Sequence, residues 1–391
     1  MRRLVILVLL GVGACRFLTA GLWPAITALR GDFAATFPTD AVARLRPGVD
    51  VSQVWQHGTG LWYYGPLQHV LTLPLLFVPS WDAVPAVWAT VNVLCLALTL
   101  WVLVEGVNSW LLIGLLAGMW LLFQPLANAL AQGTIEILEL GVIVLGLRAL
   151  VAGRPRSAGA WFGIATMIKF LPIGFLGWAV LRRQWRVVWS AVAVTAAVAV
   201  LTAMTLEWRL SVALQHLSAP WQQLWMTHHQ LSLTSLYLHL GAVFDEPFPQ
   251  WFPVGRQDIG LLAGAAASLG MASGYTWLFL RDARWSVWED ASILSLLLIL
   301  LPPWNQDYYY LFALVPLTRL TITAWTTQDR GLWALVIVAY VCMSPPVPYG
   351  WLQWAFTAPV AHVLTWYAVS LLGALGLLYA ATWQMLRTKL A

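Results

Sequence analysis

The sequence predicts an all-helical, polytopic membrane protein, and three observations carry that prediction. Of 391 residues, 60% are hydrophobic and only 9% are charged, with a mean hydropathy of +0.75. Soluble domains carry about 25% charged residues, so this composition suits lipid as the solvent. Apolar runs of bilayer-spanning length also follow one another almost end to end. Finally, the formal charge of +5 comes nearly all from arginine, clustered at the ends of those runs as cytoplasmic loops require. We read residues 1–391 as a single membrane domain, a bundle of about 10–12 transmembrane helices.

About 20 apolar residues cross a bilayer, and the runs meeting or approaching that length are 4–28, 66–79, 84–104, 108–124, 134–151, 158–181, 187–206, 259–280, 287–303, 308–325, 331–344 and 358–386. The first resembles a signal peptide, yet Arg16 interrupts it and no clean small-residue cleavage site follows, so it reads as a retained helix. Cys15, Cys95 and Cys342 all lie in apolar stretches and read as packing residues, not a disulfide set.

Basic residues orient the chain. Arg2-Arg3, Arg154/Arg156, Arg182-Arg183/Arg186, Arg281/Arg284, Arg330 and Arg387/Lys389 belong on the cytoplasmic side, with both termini. Two long loops, 29–65 and 207–258, then fall on the outer side. Both ends of 158–181 are basic, so either that segment enters and returns or one flank is misassigned, and 66–79 is short for a span. Broken backbone at membrane depth is tolerated only where it lines a protein cavity, so these two segments hint at a site.

Several polar residues could do chemistry there. Asp32 follows the first helix in Arg30-Gly31-Asp32-Phe33, where a carboxylate at the membrane surface can take a proton from a hydroxyl; its plainer role is a helix cap or a partner for Arg30 or Arg44. Asp40 fits the N-cap of an interfacial helix. Lys169, one of only two lysines, lies inside an apolar run three residues before Pro172. A lysine at that depth is costly unless paired or hydrated, and it usually marks function. Its partner is either an anionic ligand such as a lipid phosphate or an internal carboxylate, Glu136 or Glu139, and the two are compatible if the site is shared. Gln132-Gly133-Thr134-Ile135-Glu136 opens one helix, and Trp304-Asn305-Gln306-Asp307-Tyr308-Tyr309-Tyr310 joins two others. An interfacial aromatic belt accounts for Tyr309 and Tyr310 but not Asp307. Loop 215–239 carries His216, Trp221, Gln222, Trp225, His228, His229, Gln230 and Ser232. The adjacent histidines would point apart on a helix or strand and lack a metal-spaced companion, so hydrogen bonding to a sugar or phosphate is preferred to metal ligation. Tryptophan faces suit sugar stacking, though interfaces collect them too. No phosphate-binding glycine loop, dinucleotide motif or zinc signature is present, so no cofactor, metal or nucleic-acid partner is expected.

Taken in order, Gly31-Asp32-Phe33, Trp62-Tyr63-Tyr64-Gly65-Pro66-Leu67, Gln132-Gly133, Gly163 through Lys169 to Pro172 followed by Arg182-Arg183-Gln184-Trp185-Arg186, Gln230-Leu231-Ser232 and Pro302-Pro303-Trp304-Asn305-Gln306-Asp307-Tyr308 resemble the GT-C superfold glycosyltransferases. The closest resemblance is to the bacterial polyprenyl-phosphate-mannose-dependent alpha-mannosyltransferases. The chain departs from that pattern at Tyr64-Gly65-Pro66, His229-Gln230 and Gln306-Asp307, where the family commonly shows Tyr-Pro-Pro, Asn-Gln and a His pair. The resemblance implies an inverting transfer of a hexose, mannose foremost, from a polyprenyl-phosphate donor to a glycolipid or glycan acceptor at the outer face of a bacterial inner membrane. It implies Asp32 as general base, with Lys169, Arg209 and His229 around the donor phosphate. Asp40, Tyr64, Gln132, Glu136, Trp225, Gln230, Asn305, Gln306 and Asp307 are then the candidates for sugar and acceptor. A transporter or lipid flippase is the rival class, with Lys169, Glu136 and Glu139 lining its path; inverted repeats, which would favour it, are not visible. A ligase using polyprenyl-diphosphate glycans shares the superfold but should show more arginine in its large outer loop.

Overall fold

The computed structural model describes residues 2–27, 67, 71, 73–80, 83–206, 256–281, 286–302, 307–344 and 369–387, and these are helical with no strand among them. They pack as two compact units, Met1–Leu121 with Leu126–Trp225, and Leu122–Pro125 with Met226–Ala391.

The first unit opens with α1 (Arg2–Arg16), a π-helical stretch at Phe17–Leu22 and α2 (Trp23–Thr27). Together they form one continuous rod, Arg3–Ile26. After a 3-10 turn at Leu73–Phe77 come α3 (Val84–Leu103), α4 (Trp110–Leu122), α5 (Gln124–Ala131), α6 (Glu136–Val151), α7 (Pro155–Ile168), α8 (Ile173–Leu181) and α9 (Trp185–Leu206). Glycines set how closely these rods approach. Gly114 and Gly118 of α4 receive Ile6 and Leu9 of α1, while a Cβ on Gly163 of α7 would lie 2.7 Å from the Ala191 carbonyl of α9. Small residues at helix contacts are the usual way for backbones to close on one another in lipid, where no hydrophobic force draws helices together.

Run 158–181 is not one helix. Leu171 precedes a proline and is therefore steered away from the helical region, and Pro172 has no N–H to continue the ladder. The chain leaves the helix at Lys169 (φ −150°, ψ 144°) and restarts at Ile173. It also reverses: Phe175 of α8 stacks on Phe162 of α7 with ring centroids 5.2 Å apart, which a continued helix could not allow. The hairpin ends at Arg183, which takes a left-handed conformation (φ 54°). Both basic flanks of the segment, Arg154/Arg156 and Arg182/Arg183, therefore lie at the same end of the hairpin.

Two more departures from the sequence expectation have local causes. Run 108–124 corresponds to α4, and a separate short helix, α5, follows it, bent by 56° just before Pro125. Run 308–325 begins as a 3-10 segment, Asp307–Ala313, before α12 (Leu314–Thr327). Arg3–Ile26 and Val84–Leu103 are each long and apolar enough to cross a bilayer, and the bent pair α4–α5 adds a third if it is one span, among the described residues.

The second unit contains α10 (Arg256–Arg281), α11 (Val287–Leu300), α12, α13 (Arg330–Met343) and α14 (Val369–Arg387). α11 is its centre: every residue from Asp290 to Leu300 is buried, and a Ser286/Glu289 capping box closes its N-terminus. Such all-round burial fits a helix hydrophobic on every face. Arg319 of α12 lies over the Trp288 ring at 5.0 Å. Asp329 caps α13 by accepting from the Gly331 and Leu332 N–H groups and pairs with Arg387; the Leu332 amide first, then Arg387, hold its carboxyl below the usual carboxylate range. Ser344 bridges the break beside Phe123, donating to the Leu122 carbonyl at 3.0 Å and accepting from the Gln124 N–H at 2.7 Å. Tyr309 and Tyr310 are buried, at 4% and 1% exposure, so they belong to the packed interior and not to an exposed aromatic belt.

Candidate functional site

Polar residues collect at one level of the first unit. α6 and α7 form an antiparallel hairpin about the Ala152–Arg154 turn, with Gly146 of α6 against the Phe162 ring. That register brings Glu136, the first residue of α6, beside Lys169, which follows the last residue of α7. Their side chains form an ion pair between Lys169 Nζ and Glu136 Oε1. Lys169 is 2% exposed and Glu136 not at all. Of the two partners open to Lys169 on sequence grounds, the internal carboxylate is present.

One helical turn further along α6, Glu139 is fully buried and lies within Coulombic range of both Lys169 and Glu136. Among the described residues neither of its carboxyl oxygens has a hydrogen-bond partner, and the second oxygen of Glu136 has none either. One ammonium thus faces two carboxyl groups in a site closed to solvent.

α3 supplies the third wall. It runs parallel to α6: the Trp88 indole N–H donates to the Gly133 carbonyl at 2.8 Å, and Thr99 lies against Gly141, its hydroxyl 3.1 Å from where a Cβ would sit. Gly133 makes this approach in a left-handed turn (φ 63°). Asn92 follows Trp88 by one turn on the same buried face of α3, which places it at the level of Glu136. It is fully buried, and neither its amide nitrogen nor its oxygen has a partner among the described residues. At the other end of this helix pair, Arg148 grips Glu105 through two hydrogen bonds of 2.7 and 2.8 Å, and the bond from Arg148 holds the Glu105 carboxyl below its usual range.

Of the residues singled out from sequence, the fold unites Lys169 and Glu136. Gln132 is exposed at the end of α5 and does not join them. Asp307 opens the 3-10 segment of the second unit. Asp32, Asp40, Tyr64, Arg209, Trp225, His229, Gln230, Asn305 and Gln306 lie outside the described residues. Asn92 and Trp88 escaped the sequence reading, although an amide inside a 20-residue apolar helix is itself the kind of intramembrane polar group that marks function.

The family model for glycosyltransferase family 87 matches residues 62–303. The chain belongs to that family. The family 87 match covers α3 through α11 and with them every residue of the buried cluster. It makes the chain a glycosyltransferase, which acts on a sugar donor and an acceptor, and the apolar helices make it a membrane protein. Transfer is favoured over the transporter reading. No curated protein matches the chain.

Proposed function

We propose that this family 87 protein transfers a hexose, mannose foremost, from a polyprenyl-phosphate donor to a glycolipid or cell-envelope glycan on the outer face of a bacterial inner membrane. The observation that carries the reading is the buried Lys169–Glu136 pair at the tip of a broken helical hairpin, inside the region that matches a glycosyltransferase family. α7 has 14 residues and spans about 21 Å at 1.5 Å per residue. With Arg154 and Arg156 at the cytoplasmic surface, Lys169 stands about 20 Å into a hydrocarbon core of roughly 30 Å, nearer the outer side. A lipid phosphate reaching down from the outer leaflet could meet it there.

In this reading Asp32 accepts the proton of the acceptor hydroxyl as its oxygen attacks the anomeric carbon from the face opposite the phosphate. The new C–O bond forms while the bond to the phosphate oxygen breaks, and the electron pair leaves with the lipid phosphate. Configuration inverts in one displacement. A phosphate leaving group carries negative charge without being protonated, so one carboxylate suffices where hydrolases use two. Cationic groups stabilise the departing charge: Arg209, His229 and the Lys169 ammonium, whose charge Glu136 holds in place. The polyprenyl tail lies along apolar helix faces.

The test is transfer by the purified full-length chain in detergent, offered polyprenyl-phosphate mannose, glucose and arabinose with membrane glycolipid acceptors. Product should form from the mannosyl donor, and Asp32→Asn should keep donor binding yet lose transfer by about a hundredfold or more. Near-normal transfer by Asp32→Asn would remove Asp32 as the base, and no product from any lipid-monophosphate donor would remove the donor class.

A further inference from the structure

We propose that Asn92, Glu136 and Glu139 form a hydroxyl-binding subsite that holds the sugar ring of the donor, with Lys169 as the residue that positions it. This deepens the glycosyltransferase reading above and rests on it.

Among the described residues, five hydrogen-bonding atoms at this level lack a partner: both amide atoms of Asn92, one carboxyl oxygen of Glu136 and both of Glu139. All three side chains are 0% exposed. Buried polar atoms left unpaired are destabilising, and a chain keeps such a group for what it binds. The inventory of free atoms then selects the ligand. Four acceptor oxygens and one NH2 donor ask for a molecule rich in O–H donors that can also accept. A sugar ring with neighbouring hydroxyls has that character. A phosphate seated among these five atoms has none of it, because it offers only acceptors to four acceptor oxygens. An alkyl chain would satisfy nothing. Lys169 therefore stands where the two parts of the donor meet: its ion pair with Glu136 ties it to the sugar side, and its charge serves the phosphate. The three helices give the subsite its rigidity, since the Trp88–Gly133 hydrogen bond fixes α3 against the start of α6.

The variant that tests this is Glu139→Leu, with Asn92→Leu as its companion, each in the full-length protein in nanodiscs. Replacing an unpaired buried polar group by an apolar one of similar size relieves desolvation, so the Tm of Glu139→Leu should equal or exceed that of wild type. Its KM for polyprenyl-phosphate mannose should rise about ten- to hundredfold, while inhibition by bare polyprenyl phosphate stays unchanged. Among deoxy donors, one lacking a ring hydroxyl should be penalised in wild type and not in Glu139→Leu. Binding of an alkyl mannoside, measured by calorimetry, reads the subsite without any transfer step: wild type should bind about tenfold tighter than Glu139→Leu. Equal affinity of the two proteins for the alkyl mannoside would mean that ordered water alone fills the cluster and would overturn the proposal. So would a lower Tm accompanied by weaker binding of bare polyprenyl phosphate, which would make the cluster structural. Absence of transfer by wild type would strike the donor reading alone, since the mannoside titration still decides the subsite.

Discussion

Removing the Lys169 ammonium leaves Glu136 beside Glu139 in a site closed to solvent. Breaking a buried ion pair on one side typically costs about 3–5 kcal/mol, because a charge remains without compensation, whereas replacing both partners by apolar residues is often neutral or stabilising. Lys169→Met should therefore lower the Tm of the purified protein sharply, and the double variant Lys169→Met/Glu136→Leu should recover most of the loss. The recovered double variant should still bind the polyprenyl-phosphate donor poorly, which separates folding from function at the same two residues. If Lys169→Met alone unfolded at the wild-type temperature, the pair would not be stabilising this break in the hairpin. The sequence singled out Lys169, because a lysine inside an apolar run has few places to send its charge, but it left the partner open between an anionic ligand and either of two acids on the neighbouring helix. It did not expose Asn92, whose position depends on a hydrogen bond spanning 45 residues, from Trp88 to Gly133. No local pattern encodes the register of α3 on α6. The outer-loop candidates, Asp32 foremost, rest on the resemblance.

At the scale of elements, α7 depends on backbone contact with α9. A Cβ on Gly159 would collide with the Val187 carbonyl, and one on Gly163 would lie 2.7 Å from the Ala191 carbonyl and 3.2 Å from its Cα. The obstacles are backbone atoms, which cannot rotate away. Gly163→Val should destabilise the protein by about 1–3 kcal/mol, the usual cost of overfilling a packed interior, read as a drop in Tm. The same substitution at Gly177, where nothing lies within 4 Å of the added atom, should cost much less. Equal costs at the two positions would show that α7 and α9 yield easily. The existence of these helices was legible from hydropathy, and so was the break at Lys169, since Pro172 forbids continuation. The end of α4 was legible too, but the short helix α5 beyond it was not, since the break between them is held by Ser344, more than 200 residues later in the chain. A residue that remote leaves no mark on local hydropathy.

At the scale of the whole molecule, the parity of the chain in the bilayer turns on the α7–α8 hairpin. Counted as one crossing, residues 158–181 would place Arg154/Arg156 and Arg182/Arg183 on opposite sides, against the preference of arginine for the cytoplasmic face. The reversal seen in the Phe162–Phe175 stack carries the chain back toward the end of the hairpin where it began, and α9 then runs parallel to α7, as the pairing of Gly159 and Gly163 with Val187 and Ala191 requires. Single cysteines placed at Gly153 and at Gln184, in a background lacking Cys15, Cys95 and Cys342, should both react with an impermeant thiol reagent from the cytoplasmic side of sealed vesicles. Labelling of the two positions from opposite sides would mean that the segment crosses the bilayer. Labelling of Gly153 from the outer side would also remove the outer-facing position proposed for Lys169, because its depth is measured along α7 from a cytoplasmic Arg154, and a lipid phosphate could no longer reach it from the leaflet where Asp32 is proposed to act.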